Sequence, residues 1–428
     1  MKIAILAIGS QGDVRPSAAL GAGLVSAGHQ VRLITLPAFE HLASSNGMEF
    51  APVHIDPFAF ITGDIGQSWM DSMDKPHRLI AGVSRAAAQF LEPLTEDAAV
   101  ACQGSDALLY NVPLSIAGHT VAEALRIPGI PTAVAPYHPT RAFPSIITPS
   151  LPLRGAVPNL VSGAAAIQVL WLMFRSHMNR WRRTQPGLRA LPLWNPLRRI
   201  SREGVPWLYG FSPSVIPAPS DWPRTAAVCG YWFTAPSKDW KPDPKLLDFL
   251  GSGPAPVYVG FGSMVGSDPG KTVHTVIHAV REAKVRAIIA SGWGGMKHEA
   301  LPDDVYAVQS IPHDWLFPRV AAAVHHGGAG TTAATLRAGI PSVVVPYFYD
   351  QFFWGKRLQE LGVGSVPVAQ KQADGPRLAE AIRFVTRTPE VARRARELSA
   401  AISREDGVGE AVKTVESYLG ARIRRITQ

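Results

Sequence analysis

The sequence predicts two doubly wound α/β domains facing each other across a cleft, and three observations carry that fold class. Short apolar strands alternate with helix-compatible stretches in both halves, the pattern of a parallel sheet covered on both faces. A length of 428 residues supplies two domains at the usual size of roughly 100–200 residues each. In each half, a strand runs through a glycine turn into a helix, first at residues 9–13 and again at residues 326–332.

In chain order, the run Ile3-Ala4-Ile5-Leu6-Ala7-Ile8 predicts a buried strand over 2–8 and is too short for a signal-peptide core. Residues 14–27 read as a helix with Ala18, Leu20, Leu24 and Val25 near one face, stopped by Gly28. Strands are expected at 31–36, 107–110 and 131–135, with a helix at 116–125 between the last two. Residues 139–200 break the pattern with prolines, a long apolar helix at 161–174 and a basic segment at 175–183. Beyond the proline-rich stretch 213–223, strands are expected at 257–261, 286–290, 305–309, 321–325, 342–346 and 364–368. The expected partition is 1–215, a linker at 216–226, 227–405, and a C-terminal helical segment at 406–428 that packs back on the first domain.

Composition excludes several classes. With 46% hydrophobic residues the chain is not intrinsically disordered. The two cysteines, Cys102 and Cys229, make neither a disulfide framework nor a cysteine-based zinc site, which suits a cytoplasmic setting. The absence of about 18 uninterrupted apolar residues argues against a membrane-spanning helix. A net charge of +9 suits a nucleic acid, an anionic membrane surface or a small anionic ligand. No dense Lys/Arg run or known module supports nucleic acid.

The chemistry concentrates in the second half. In His325-His326-Gly327-Gly328-Ala329-Gly330-Thr331-Thr332 a strand ends, glycines turn, and a helix begins with two hydroxyl residues. Amides at a helix start hold phosphate, Gly328 and Gly330 allow close approach, and threonine hydroxyls add donors. The next strand leads into Tyr347-Phe348-Tyr349-Asp350-Gln351-Phe352-Phe353-Trp354, where a carboxylate beside an amide among aromatics suits sugar hydroxyls. Asp350 equally suits a helix N-cap. No cluster with metal-ligand spacing appears.

These segments, with Ile311-Pro312-His313-Asp314-Trp315-Leu316-Phe317-Pro318 ahead of them, resemble the donor signature of the family-1 glycosyltransferases, which have the GT-B fold. The resemblance is nearest to the sterol glucosyltransferase branch and its bacterial relatives acting on lipids and polyketide-type natural products. It extends over Gly9-Ser10-Gln11-Gly12-Asp13-Val14-Arg15-Pro16, Gly28-His29, Thr140-Arg141-Ala142-Phe143-Pro144, Asn179-Arg180-Trp181-Arg182-Arg183 and Gly260-Phe261-Gly262-Ser263-Met264.

The resemblance implies an acceptor-binding first domain and a nucleotide-sugar-binding second domain. His326 and the amides from Gly328, Ala329, Gly330 and Thr331 would hold a diphosphate, with Ser263 and Ser10 contacting it. Ser310, Ile311 and His313 would lie by the base, and Trp293 would border the base or the diphosphate or be structural. Asp350 and Gln351 would hold the donor sugar. Asp13 would be the general base, acting directly because the position of the usual orienting carboxylate is Asn111; it also fits a cap of the first helix. The implied reaction is a single inverting displacement, without metal or cofactor, from a UDP- or dTDP-sugar to a hydroxyl of a hydrophobic acceptor. A sugar-nucleotide epimerase and a non-catalytic nucleotide-sugar-binding partner are the alternatives. On the acceptor side, Trp69, Phe90, Tyr137, His138, Trp171 and Met173 are pocket candidates, and His138 is a candidate second base. The helix at 161–174 with its arginines suits either a wall of the acceptor cleft or peripheral contact with a membrane surface.

Overall fold

The computed structural model describes residues 1–55, 76–112, 115–147, 155–234, 240–262, 269–290, 301–347 and 349–426. The chain forms two compact units, Met1–Thr234 with Asp406–Gln428, and Ala235–Glu405.

The first unit is built on seven strands: β1 Lys2–Leu6, β2 Gln30–Thr35, β3 Glu49–Pro52, β4 Ala107–Asn111, β5 Gly129–Ala133, β6 Trp207–Tyr209 and β7 Ala226–Val228. Their spatial order is β3-β2-β1-β4-β5-β6-β7, and every pair is parallel. Parallel strands must be covered on both faces, and alternation along β1 does this. Ile3, Ile5 and Ala7 enter one cluster with α1 (Gln11–Ser26), while Ala4, Leu6 and Ile8 enter the other. The second cluster is closed by α2 (Pro76–Ala101), α3 (Ser115–Leu125) and α4 (Ala156–Thr184).

The second unit has a five-stranded parallel sheet of β8 Val257–Gly260, β9 Ala287–Ala290, β10 Val305–Val308, β11 Ala322–His325 and β12 Ser342–Val344. Its order is β10-β9-β8-β11-β12. Helices α5 (Pro269–Ala283), α6 (Ala329–Ala338), α7 (Asp350–Glu360) and α8 (Gly375–Arg387) follow its strands.

The C-terminal helix α9 (Gly407–Ile426) belongs to the first unit. Ala411, Val412, Val415 and Leu419 join the cluster on α1, and the Trp232 indole donates to the Gly407 carbonyl at 3.0 Å.

Three features differ from the sequence expectation. Residues 216–226 lie inside the first unit, not between units: Ile216 and Trp222 are buried, Trp222 stacks on Tyr209 at 4.9 Å, and β7 follows directly. Proline there marks an irregular strap fixed by aromatic packing. Residues 364–368 run beside β12 without forming a strand: besides an isolated bridge, Ser342 to Gly364, Ser365 N–H donates to the Ser342 carbonyl at 3.1 Å and Val368 N–H to the Val344 carbonyl at 2.9 Å, while Pro367 between them has no N–H to give. Finally, α4 is long and apolar enough by length and composition to cross a membrane, although Ser162, Gly163 and Gln168 interrupt its apolar run. Only 22% of its most apolar window is buried.

Because α9 fills the first unit's core, Leu419→Ala should cost about 2–5 kcal/mol in a denaturant melt. A loss within about 0.5 kcal/mol, as expected of an ordinary surface site, would show that the helix is an accessory tail.

Candidate functional site

In an open parallel sheet, ligands sit beyond the carboxyl ends of the strands where strand order reverses. In the first unit that point lies between β1 and β4, and in the second between β8 and β11. The sequence motifs fall at both.

At the first reversal, β1 runs into Gly9, whose φ of +137° strains any other residue, and a Cβ there would lie 2.5 Å from Asp13 Oδ2. Ser10 caps α1 in a reciprocal capping box. Asp13 Oδ2 accepts from the Ser10 N–H and hydroxyl, each at 2.9 Å, while the Ser10 oxygen accepts from Gly12 N–H at 3.2 Å. Asp13 thus has the capping role its position allowed. Both of these bonds fall on Oδ2, so the cap leaves Oδ1 out. Burial raises the Asp13 carboxyl above its ordinary pKa, and the Ser10 bonds draw it part of the way back.

Asn111, at the end of β4, does not orient Asp13 by direct contact. Its amide donates to the Ile8 carbonyl at 2.8 Å and accepts from the Ile8 N–H at 3.1 Å, fixing the strand end that feeds the turn. A small hollow is lined by Asp13, Ser17, Asn111, Val112, Thr132, Ala133, Val134 and Trp232. Sequence reasoning found only Asp13 and Asn111 among these. Ser17 was legible as one helical turn beyond Asp13, whereas Thr132 and Trp232 arrive through strand pairing.

At the second reversal, β11 ends in fully buried His325, whose Nδ1 accepts from Gly327 N–H at 3.1 Å. Gly327 turns the chain with φ +87°, and a Cβ there would lie 2.7 Å from Val344 and 3.0 Å from the Gln351 carbonyl oxygen. The His326 ring lies against Gly328 and Gly262, and its Nδ1 is buried without a hydrogen-bond partner. Burial lowers its pKa to about 4, so at neutral pH it is an uncharged ring with one N–H to offer. Helix α6 begins at Ala329 with Gly328 as N-cap and no side-chain acceptor on its first amides. The first-turn N–H groups are therefore left to a ligand or solvent.

Asp350 and Gln351 open α7, one strand further along. Tyr349, at φ +57°, is the N-cap, so Asp350 does not cap; its Oδ2 accepts from the Trp354 indole at 3.1 Å. Buried Gln351 accepts the Tyr347 N–H through Oε1 at 2.8 Å. His313 stacks on Phe317 at 4.3 Å, with Nε2 3.2 Å from the Tyr258 hydroxyl. Ile311 is buried and Ser310 exposed. Ser263, Trp293 and Trp69 lie outside the described residues.

The acceptor candidates are less concentrated. Trp171 is a core residue, its indole donating to the Pro192 carbonyl at 3.1 Å, and Phe90 packs half-buried against the same cluster. Tyr137 is half-buried. His138 is buried among Trp207, Tyr209 and Trp222. Its backbone N–H donates to the Tyr209 oxygen at 3.1 Å, and its Nδ1 lies 2.6 Å from the same oxygen. Both contacts tie the residue to the core, and burial lowers its pKa to about 4. This geometry suits a structural pillar better than a second base.

His138 and His326 titrate near 4 when folded and near 6.5 when unfolded, so the unfolded chain binds the extra protons between those values. Stability should fall as pH drops from about 6.5 towards 4, by up to about 1.4 kcal/mol per pH unit for each ring. Urea midpoints across this range should show a shallower slope for His138→Gln. An unchanged slope would contradict the assignment.

Residues 3–144 match the family model described as the glycosyltransferase family 28 N-terminal domain. Residues 278–417 match the erythromycin biosynthesis protein CIII-like C-terminal domain. A sterol 3-beta-glucosyltransferase of Neosartorya fischeri is 37% identical over 427 residues, covering 97% of this chain and 29% of that protein. This chain therefore spans less than a third of that relative's length. The glycotransferase of kitacinnamycin shares the fold with a TM-score of 0.71 at 18% identity, covering 98% of this chain and 99% of that one. SsfS6, a glycosyltransferase of Streptomyces sp. SF2575 complexed with thymidine diphosphate, gives 0.61 at 20% identity, covering 97% and 99%. The chain thus has the GT-B fold of these glycosyltransferase structures, matches a glycosyltransferase family 28 N-terminal domain and an erythromycin CIII-like C-terminal domain, and along 97% of its length is similar to part of a sterol 3-beta-glucosyltransferase.

Proposed function

We propose that the chain is an inverting, metal-independent glycosyltransferase. It moves a hexose or deoxyhexose from a UDP- or dTDP-sugar to a hydroxyl of a hydrophobic acceptor such as a sterol, lipid or polyketide-type molecule. The observation that carries this reading is the uncapped start of α6 beside neutral His326, at the strand-order reversal of the second unit. Amide dipoles aimed at one point stabilise a diphosphate without formal cations. The thymidine diphosphate bound to SsfS6 supports a nucleoside diphosphate as the ligand class. The N. fischeri relative's name supports a sterol-like acceptor.

In this reading the second unit takes the donor, with His326 and the amides of Ala329, Gly330 and Thr331 on the diphosphate, and Asp350 and Gln351 on the sugar. The first unit takes the acceptor. The acceptor oxygen forms its bond to the anomeric carbon as the bond to the diphosphate oxygen breaks, which inverts that carbon. The hydroxyl proton passes to Asp13 Oδ1, and the nucleoside diphosphate leaves with the bonding pair. An ordinary carboxylate cannot ionise an alcohol in advance, but it can accept a proton that turns acidic as the C–O bond forms. The raised pKa of Asp13 favours that late transfer. The leaving charge grows against the α6 amides and the His326 N–H, whose preorganisation replaces a metal.

Purified protein given UDP-glucose or dTDP-glucose with a panel of lipophilic alcohols should release nucleotide only when an acceptor is present. Release of neither nucleotide, with no calorimetric binding of either donor, would overturn the function; donor conversion without acceptor would indicate an epimerase. Asp13→Asn should slow transfer by about 10²–10⁴-fold while leaving donor affinity nearly unchanged. Transfer preserved with donor binding lost would reject the base assignment.

A further inference from the structure

The positive charge of this chain is not spread evenly. From residue 124 to residue 202 there are eleven arginines and no lysine, aspartate or glutamate, a run of +11 in a chain whose total is +9. The remainder therefore carries a net −2 (9 minus 11). The donor motifs lie elsewhere and use few formal charges, so the proposed reaction leaves this asymmetry unexplained.

Helix α4 occupies the centre of that acid-free stretch, and one of its faces is exposed. Val157, Val161, Val169 and Leu172 are all exposed, and at spacings of four, eight and three they share one side of the helix. The opposite side is committed to the core through Ala166, Trp171 and Met178. Residues 191–195 are stapled along the same helix. Leu191 N–H donates to Asn179 at 2.7 Å, Arg175 Nε to the Leu191 and Pro192 carbonyls at 3.0 Å, and Gln168 to the Leu193 carbonyl at 2.9 Å. Asn195 N–H closes the strap on Gln168 at 3.1 Å. This fixed strap holds Leu193 out to solvent, and beside it Trp194 is 72% exposed, the most exposed of the large apolar side chains among the described residues. A tryptophan held out in this way suits a bilayer interface, where its apolar body and polar N–H are both satisfied.

The arginines around the stripe divide into two sets. Arg182 is buried on Glu123, Arg180 pairs with Glu92, and Arg199 pairs with Glu203. Arg183 and Arg189 are exposed and make no ion pair among the described residues. Arg183 lies eleven residues, three helical turns, beyond Leu172 on the same side.

We propose that the outer face of α4, with the Leu193–Trp194 strap, is a docking surface for an anionic lipid bilayer. The apolar stripe from Val157 to Leu172, about 23 Å long at 1.5 Å per residue, lies in the plane of the interface with Trp194 as anchor. Arg183 and Arg189, which have no ion-pair partner among the described residues, meet the phosphates. A bilayer is favoured over a second copy because self-pairing of this face would bring the unpaired Arg183 and Arg189 of two copies together. The helix lies on the membrane and does not cross it: one side is part of the first unit's core. The inference is independent of the transfer reaction, since it concerns binding in the absence of nucleotide.

The test is flotation or sedimentation of the full chain with vesicles of phosphatidylcholine alone and of an equimolar mixture with phosphatidylglycerol. Binding should require the anionic lipid and weaken as salt rises. Combining Trp194→Ser with Val161→Asn should lower vesicle partitioning at least tenfold without lowering the melting temperature. Arg183→Gln with Arg189→Gln should weaken it by roughly fivefold per arginine. No binding to anionic vesicles at low salt, or equal binding by wild type and both variants, overturns the proposal. So does a dimer in sedimentation velocity that the apolar variant dissolves, because that makes the occupant a second copy.

Discussion

A parallel sheet buried on both faces leaves its polar chemistry one place to go, the carboxyl ends of its strands. Reversal of strand order then selects which ends open outward. Both units obey this constraint, and the rest of the candidate site depends on it. Asp13 follows β1, paired with β4, and His326 follows β11, paired with β8. Neither residue needs a special scaffold. Each occupies the first turn after a central strand, where glycine allows the chain to bend and a helix starts.

The two turns use that geometry in opposite ways. At α1 the first turn is closed on itself: Ser10 and Asp13 satisfy each other's backbone, and the carboxylate is held by the helix it caps. At α6 no side chain caps the start, and a histidine that burial keeps neutral lies against the N-cap Gly328. The first turn presents a fixed carboxylate and the second an open set of donors. In the proposed reaction the proton acceptor and the phosphate cradle come from the same strand–turn–helix unit, and the difference lies in whether the cap is filled.

Much of this was legible in the sequence because the signals are local. The apolar alternation of residues 3–8, the stop at Gly28 and the glycine run after His326 each lie within a few residues of the feature they specify. What was not legible depends on partners far along the chain. His138 reads as a possible base until Tyr209, 71 residues away, holds its Nδ1 at 2.6 Å inside an aromatic cluster. Trp171 reads as a pocket aromatic until the carbonyl of Pro192 and the core claim it. Residues 216–226 read as a linker because proline is counted locally, whereas Trp222 is held by Tyr209. Asp350 reads as a cap until the strained backbone of Tyr349 takes that position. Asn111 reads only as the place where an orienting carboxylate is missing, until its bonds to Ile8 show it fixing the strand end before the turn.

The charge distribution belongs to the same account. Acids are absent where the chain builds the long helix and its strap, and Val157, Val161, Val169, Leu172, Leu193 and Trp194 are exposed in that same stretch. The groups proposed for catalysis, in contrast, would work through dipoles and a single carboxylate. The central claim is that this carboxylate serves a single displacement on an α-linked nucleotide sugar. The most direct measurement is the anomeric configuration of the first-formed product by proton NMR. The account predicts a β-linked glycoside from an α-linked donor, while an α-linked product would contradict it.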